Sequence, residues 1–428
     1  MLPIKLVKEN PELVKADLRK RGQTDKLGWV DEVLIFDKEY WELKKTSDEL
    51  RHKKNVLTRE VSELKKAGKG AAAQIAEAQQ LPEKIREADA RLEQLETELR
   101  YRLMRLPNIL HKDVPVGKDS SDNVELRRWD EPKEFDFELK VHGELAEEAG
   151  LADFGKAAEV SGSGFVYLKG ELAMLDLALQ RFAIDHLVGL GFTLVEPPLM
   201  LRREPYEGVT DFAYFKDVLY KIEGEDLFLI ATSEHPLVAM HMNDTIEEKD
   251  LPLRYVGLST CFRKEIGSHG VDTRGLFRMH QFNKVEQVVI CRPEDSEQLH
   301  EEVQQNSEKL FQKLGIPYRV VSICTGDIGD VASKKYDIEA WFPREKAYKE
   351  VTSASNCTFY QAARLNIRHR KGDEKEHVHT LNNTGIATSR AMRAILENCQ
   401  NEDGTVDVPK VLQPYMNGLR KIGARTTT

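Results

Sequence analysis

The sequence predicts an α+β protein: an N-terminal antiparallel helical hairpin followed by a domain on a mostly antiparallel sheet. Two observations carry that expectation. Apolar residues recur every seven positions at Phe36, Leu43, Leu50, Leu57 and Leu64, and again at Ile85, Leu92, Leu99 and Leu106, which is the seam of a coiled coil. Further on, short apolar runs and helical stretches follow one another without the regular strand–helix alternation of a parallel sheet. The chain of 428 residues is long enough for two or three domains, and the expected division is 1–110 and 111–428.

Taken in order, Ile4, Leu6, Val7, Leu13, Val14 and Leu18 open the chain at helical intervals. The two seven-residue series are separated by KKAGKGAAA, where Gly68 and Gly70 interrupt the pattern. Two helices joined by so short a turn must run antiparallel. At ~1.5 Å per residue a helix of about thirty-five residues extends roughly 50 Å, too long to wrap within a compact domain, so a projecting hairpin is expected. Pro82 is expected to start or kink the return helix, because proline lacks the donor and crowds the preceding turn. Toward the tip, Arg51, Lys53, Lys54, Arg59, Lys65, Lys66 and Lys69 stand against only Glu60 and Glu63, on a chain of net charge -9. Such a run is most often a solvated helix face. At the end of a lever it also suits a large polyanion such as a folded RNA.

The stretch LPNILHKDVPVGKDSSDN reads as the domain boundary. Beyond it, Leu172, Leu175, Leu179, Phe182, Ala183 and Leu190 mark one face of a helix that stops at Gly191, and FTLVEPPLM reads as a strand closed by Pro197 and Pro198. LFLIAT, FNKVEQVVI and YRVVSICTG read as further strands, and SRAMRAILENCQ as a final helix. No apolar run approaches the ~18 residues of a membrane helix, and no signal-peptide pattern opens the chain. Five cysteines, widely spaced and without a C-x-x-C pair, favour a reducing compartment. A cytoplasmic protein without membrane attachment is expected. The acidic balance argues against wholesale coating of nucleic acid but leaves room for a local basic surface.

The chemistry concentrates in FRKEIGSHGVDTRGLFRMHQFNKVEQ, Phe262 to Gln287. Residues two apart on a strand share a face, which predicts that Arg263 and Glu265 point one way and that Phe282, Lys284 and Glu286 do so on a second strand. The connecting loop carries Gly267, Gly270, Arg274 and Gly275. A guanidinium, an exposed ring and carboxylates on paired strands can hold a phosphate, a planar base and an ammonium group. An ordinary charged hairpin would show the same spacing. SGSGF at 161–165 is too short and ill placed for a dinucleotide fingerprint, and HVH at 377–379 lacks a third metal ligand.

Joined to ATSEHPL (231–237), YKEVTSASN (348–356) and LNNTGIATSRAMRAILEN (381–398), the hairpin makes the chain resemble the seryl-tRNA synthetases, class II enzymes with an N-terminal helical arm, over residues 1 to 422. The resemblance implies a class II catalytic domain, a homodimer formed around GFTLVEPPLM, and ligation of L-serine to tRNA(Ser) with ATP and Mg²⁺. It assigns serine contacts to Thr232, Glu234, Arg263, Glu286, Asn382 and Thr384. It assigns ATP contacts to Arg263, Lys264, Glu265, Met279, Phe282, Glu350, Val351, Thr352, Ser353 and Arg390, with Phe282 stacked on adenine, Arg263 at the α-phosphate and Arg390 at the γ-phosphate. Glu350 and Ser353 are the implied Mg²⁺ contacts, and Arg263, Arg390 and Glu350 the catalytic set. The basic residues of the arm are the implied tRNA contacts. The Thr-Ser-Glu segment argues against the zinc-dependent relatives, so no zinc is expected.

This chain departs from the family pattern at Gly164, where the family has Arg, and at Phe359 and Ala363, where it has Asp and Arg. Two basic groups and one acidic group missing together suggest a lost ion-pair cluster, replaced by apolar contacts. Two rival functions fit parts of the sequence. A ligase that loads a carrier protein would lack the long arm, and a non-catalytic paralogue would not need Arg263, Glu286, Glu350 and Arg390 together.

Overall fold

The computed structural model describes residues 1–265 and 275–423, apart from the side chains of residues 213 and 214. Gly267, Gly270 and Arg274 of the glycine-bearing loop therefore lie outside the described residues. The chain divides into two units, Met1–Pro107 and Asn108–Thr428. No helix of the described residues is long and apolar enough to cross a membrane.

The first unit opens with α1 (Ile4–Glu9) and α2 (Pro11–Lys20), followed by the hairpin of α3 (Leu27–Lys66) and α4 (Ala72–Arg105). The seam is clearest on α4, where Leu81, Ile85, Ala88, Leu92, Leu95 and Leu99 are buried at alternating four- and three-residue steps, with Leu103 one turn further on. Polar pairs tie the helices outside that seam. Asp89 accepts from Ser47 (3.2 Å) and Arg51 (2.6 Å), and Tyr40 donates to Glu96 (2.8 Å). Of the two outcomes expected at Pro82, a helix start does not occur: α4 begins at Ala72 and runs through the proline. Pro82 is exposed, so water can satisfy the carbonyl that proline leaves without a donor. Of the tip's basic residues, Arg51 pairs with Asp89 and Lys53 with Glu77 across the hairpin, whereas Lys54, Arg59, Lys65, Lys66 and Lys69 are exposed and form no ion pair among the described residues.

In the second unit the eight-stranded sheet is built from β1 (Val124–Trp129), β2 (Thr193–Val195), β3 (Leu253–Phe262), β4 (Gln281–Cys291), β5 (Tyr318–Ser322), β6 (Lys334–Phe342), β7 (Ala347–Thr358) and β8 (His379–Ala387). Its order is β1-β5-β6-β7-β8-β4-β3-β2, antiparallel throughout except for the parallel β2–β3 pair. Among the unit's helices, α5 (His142–Glu148), α6 (Gly170–Gly189), α7 (Glu234–Ala239), α8 (Ser296–Leu314), α9 (Tyr360–Leu365) and α10 (Thr388–Asn398) bear on the site and its support. The β4 residues sort by parity. Val285 and Val289 join the core containing Leu175, Leu179, Phe311 and Ile395, while Val288 and Ile290 join a second core with Leu237 and Val238 of α7. A central strand covered on both faces reads as a nearly continuous apolar run, as VVI does.

Two sequence expectations are corrected here, and one long helix went unread. The stretch taken as a linker is built into the second unit. The Asn108 amide donates to the carbonyls of Val331 (3.0 Å) and Cys357 (2.8 Å), and Leu110 and Val114 are buried with Val321 and Ile323. Its first half is pinned by such bonds and by apolar burial, while its polar second half, from Lys118 to Asp122, faces solvent. The apolar stripe of the long helix α8 (Leu299, Val303, Leu310, Phe311 and Leu314) is interrupted for two turns because polar groups are buried there: Gln287 donates to the Val303 carbonyl (3.2 Å) and to Ser307 (3.0 Å), which in turn donates to the Thr384 carbonyl (2.8 Å). Finally, Arg263 and Glu265 do not share a strand face. β3 ends at Phe262, and Glu265 has the left-handed backbone value φ 45°.

Candidate active site

Two carboxylates meet where the first turn of α7 faces the middle of β4 and β8. β4 and β8 pair Glu286 directly with Thr384, and two residues along β8 the Asn382 amide donates to both Glu234 (2.9 Å) and Glu286 (3.3 Å). Gln361 of α9 donates to the other Glu234 oxygen (2.8 Å), and the Glu234 amide donates to the Thr232 hydroxyl (3.2 Å). Thr232, Glu234, Glu286, Asn382 and Thr384, scattered over more than 150 positions of sequence, thus occupy one site. The Lys284 ammonium lies 2.6 Å from Glu286, with both side chains almost wholly buried. Lys284 is the nearer of two cations, with Arg263, that act on these two carboxylates. Burial first, and the Glu286 charge second, push the Glu234 carboxyl up to about 7 against the opposing pull of Lys284. An added ammonium group would relieve that frustration.

Beside this pocket lies a cleft lined by both charged and apolar groups. The Arg263 guanidinium sits 5.2 Å above the Phe282 ring centroid, and its Nε donates to the Ala231 carbonyl (3.3 Å). Met279 and Val351 wall the cleft, and Glu265 reaches it, paired with Arg278 at 3.4 Å. Across the cleft, Arg390 in the first turn of α10 lies 3.0 Å from the Glu350 carboxylate and donates to the Glu350 carbonyl (2.9 Å). Burial works against ionisation of Glu350, but the charges of Arg390, Lys335 and Arg263 outweigh it and hold the carboxyl below its ordinary range. A bulge helps to aim this group: β7 and β6 pair Thr352 with Ile338 and Glu350 with Glu339, so Val351 is the extra residue. Ser353 stands opposite Asp337, whose Oδ1 is buried without a hydrogen-bond partner.

Some nominated residues lie off this centre. The Lys264 ammonium points to the Tyr220 ring (5.8 Å), and the Thr352 side chain is buried outside the cleft lining. Sequence reasoning left out Lys284 as a site residue, although its alternation with Phe282 and Glu286 was visible. It also missed Phe277, which underlies Arg390 at 5.0 Å, and Gln361, for which no local pattern existed. The supposed three-residue cluster is not one. Gly164 abuts His280, immediately before β4, whereas Phe359 faces His379, which pairs with Cys291 at the far end of β4. Eleven strand residues separate those ends by roughly 30 Å. Phe359 and Ala363 are one helical turn apart, with the Ala363 amide donating to the Phe359 carbonyl (2.7 Å).

Comparison with known proteins agrees with this geometry. Residues 1–110 match the seryl-tRNA synthetase N-terminal domain and residues 218–399 the tRNA synthetase class II core domain (G, H, P, S and T). A serine–tRNA ligase of Methanocella arvoryzae is 58% identical over 422 residues, covering 98% of this chain and 99% of that protein. The seryl-tRNA synthetase of Pyrococcus horikoshii, solved complexed with ATP, superposes with a TM-score of 0.92 at 51% identity, covering 99% of both chains. The cytoplasmic serine–tRNA ligase of Naegleria fowleri, in complex with AMP, matches with a TM-score of 0.87 at 34% identity, covering 99% of this chain and 98% of that one. The chain belongs to the serine–tRNA ligase family of class II tRNA synthetases.

Proposed function

We propose that the protein activates L-serine with ATP and transfers it to tRNA(Ser). The observation that carries this reading is the adjacency of an acidic, ammonium-sized pocket around Glu234 and Glu286 to a cleft whose ends are held by Arg263 and Arg390. The serine carboxylate attacks the α-phosphorus, the bond to pyrophosphate breaks, and seryl-adenylate forms. A terminal ribose hydroxyl of tRNA then attacks the seryl carbonyl, and AMP leaves. Neither step needs a protein nucleophile. The chain supplies position and charge: Glu234 and Glu286 take the ammonium, Thr232, Asn382 and Thr384 shape the pocket, Arg263 meets the carboxylate and α-phosphate, and Arg390 the γ-phosphate. Phe282 and Met279 flank adenine, with Lys264, Glu265, Val351 and Thr352 contributing to the nucleotide site through backbone or side chain. Specificity against alanine follows from groups left unpaired when the serine hydroxyl is missing.

Mg²⁺ fits the oxygen-rich wall of the cleft. Glu350 is held ionised in the cleft lining, and Ser353 lies on the same face of β7 beyond the bulge. Among the described residues no group of three or more His, Cys, Asp and Glu side chains could hold a metal, which accords with an ion that takes most of its ligands from phosphates and water. Glu350 and Ser353 would hold it, and it would supply positive charge over the phosphates.

The 1–110 segment acts as the tRNA arm and 111–428 as the catalytic domain, with Lys54, Arg59, Lys65, Lys66 and Lys69 as the available cations and Arg51 and Lys53 shared with interhelical pairs. The working form is a homodimer. Leu177 (64% exposed) and Val188 lie three turns apart on one face of α6, and Leu194 is exposed on the edge strand β2, an apolar surface that calls for a partner. Serine-dependent exchange of pyrophosphate into ATP, measured with and without tRNA, tests the reading. Absence of exchange with serine in both conditions would overturn it.

A further inference from the structure

A buried chain of polar contacts reaches the nucleotide cleft from behind. Arg393, one turn beyond Arg390 on α10, donates to Glu397 (2.9 Å), and Glu397 lies 3.1 Å from Nδ1 of His142 on α5. The opposite ring nitrogen, Nε2, accepts from the Leu276 amide (3.1 Å). His142 and Glu397 are 4% and 1% exposed. Because a backbone N–H points at Nε2, the proton of the neutral ring sits on Nδ1 and is donated to Glu397. Burial depresses the imidazole's basicity, which keeps Nε2 an acceptor.

The fit at the far end is steric as well as polar. Gly275 has φ +110°, and a Cβ there would lie 2.2 Å from His142 Nε2. Only glycine allows the imidazole to reach the next amide. Leu276 is followed by Phe277, whose ring lies 5.0 Å from the Arg390 guanidinium and 4.7 Å from that of Arg393. The helix that carries Arg390 into the cleft therefore also fixes, through Glu397 and His142, the backbone on which the platform for Arg390 is mounted.

We propose that His142 is a positioning residue for the nucleotide site, setting Phe277 beneath Arg390 by accepting the Leu276 amide. This rests on the ligase reading in taking ATP as the ligand of Arg390. Three full-length variants separate the role from general core packing. His142→Gln places an amide oxygen within reach of Leu276. His142→Asn is long enough to bond Glu397 but not Leu276, and His142→Ala removes both contacts. Expected results are an ATP KM raised at least tenfold in His142→Asn and His142→Ala with the serine KM within twofold, amide exchange of the 275–279 segment at least tenfold faster, and recovery of most of both effects in His142→Gln. If His142→Ala does not fold, the contrast between Asn and Gln decides. An unchanged ATP KM in His142→Asn, a parallel rise in both KM values, or unaltered exchange at Leu276 would overturn the proposal. Calorimetric ATP affinity and amide exchange test His142 even if wild type shows no serine-dependent exchange, a result that would instead overturn the ligase reading.

Discussion

Glu234→Gln tests the electrostatics of the proposed serine pocket in stability and in binding at once. The Glu234 carboxyl titrates at about 7 because burial and the neighbouring Glu286 charge disfavour its ionised form. In the unfolded chain the same group titrates near its model value of 4.5. Between those values the folded protein holds a proton that the unfolded chain has released, so folding stability falls as pH rises from about 4.5 to about 7. A shift of about two and a half units corresponds to roughly 3 kcal/mol. Glutamine has no proton to lose and escapes this fall. Its amide must face at least one donor, Gln361 or Asn382, at a cost of about 1 kcal/mol, but that offset is the same at every pH. Part of that fall lies below pH 5, so the stability of Glu234→Gln relative to wild type should rise by roughly 2.5 kcal/mol between pH 5 and pH 8, a few degrees in Tm. Over the same range the wild-type carboxylate becomes available to the substrate ammonium, and the variant's serine KM at pH 8 should be at least tenfold higher than wild type. Thermal melts at pH 5, 6.5 and 8, with exchange assays at pH 8, check both halves. A stability difference that stays constant across the range would refute the reasoning.

Arg263→Ala and Arg390→Ala should each reduce serine-dependent pyrophosphate exchange a hundredfold or more, about 3 kcal/mol of transition-state stabilisation, while far-ultraviolet circular dichroism stays unchanged; near-normal exchange in either would count against the assigned phosphate contacts. Replacing Lys54, Arg59, Lys65, Lys66 and Lys69 together by glutamine should leave exchange intact, weaken tRNA charging at least tenfold and flatten its salt dependence; equal charging at 0.2 M salt would remove the arm's cations from the tRNA interface. Gly164→Arg should destabilise by several degrees in a melt, because a Cβ there would lie 2.3 Å from the His280 ring at φ +84°, whereas Phe359→Asp should be no better tolerated in the presence of Gly164→Arg than alone.

How much of this was legible depended on whether the information was local. The seven-residue seam from Ile85 to Leu99 announced α4, and α10 and β4 were likewise written in contiguous residues. The tRNA-arm cations were visible as a run, but not that Arg51 and Lys53 are spent on α4 carboxylates, since that depends on the register between two helices. α8 went unread because Gln304, Asn306 and Ser307 are buried without being apolar, and periodicity reasoning counts burial only where it is hydrophobic. Gln361 illustrates the same limit at the site: its hold on Glu234 depends on α9 reaching across from the end of β7.

The departures at Gly164, Phe359 and Ala363 show how joint departure from a family pattern can mislead when it is converted directly into contact. Three charged groups missing from one chain invited a single cause, yet the fold provides two separate settings. At Gly164 the space for a side chain is occupied: the His280 ring stacks on Phe165 at 5.2 Å and contacts the Tyr220 hydroxyl at 2.5 Å, and the His280 amide donates to the Gly164 carbonyl (2.9 Å). That arrangement favours glycine because its left-handed backbone brings the carbonyl to His280, whose own carbonyl accepts from the Arg263 amide (2.9 Å). A residue lacking any side chain is thus two hydrogen bonds from the arginine proposed to meet the α-phosphate. At Phe359 and Ala363, in contrast, the neighbouring His379 bonds Ser296 (2.9 Å), and loss of charge is accommodated by a partly buried aromatic ring at the start of α9. Activity should consequently be far more sensitive to substitution at 164 than at 359 or 363, and single-site exchange rates at the three positions distinguish this ordering from the uniform sensitivity that a shared ion-pair cluster would impose.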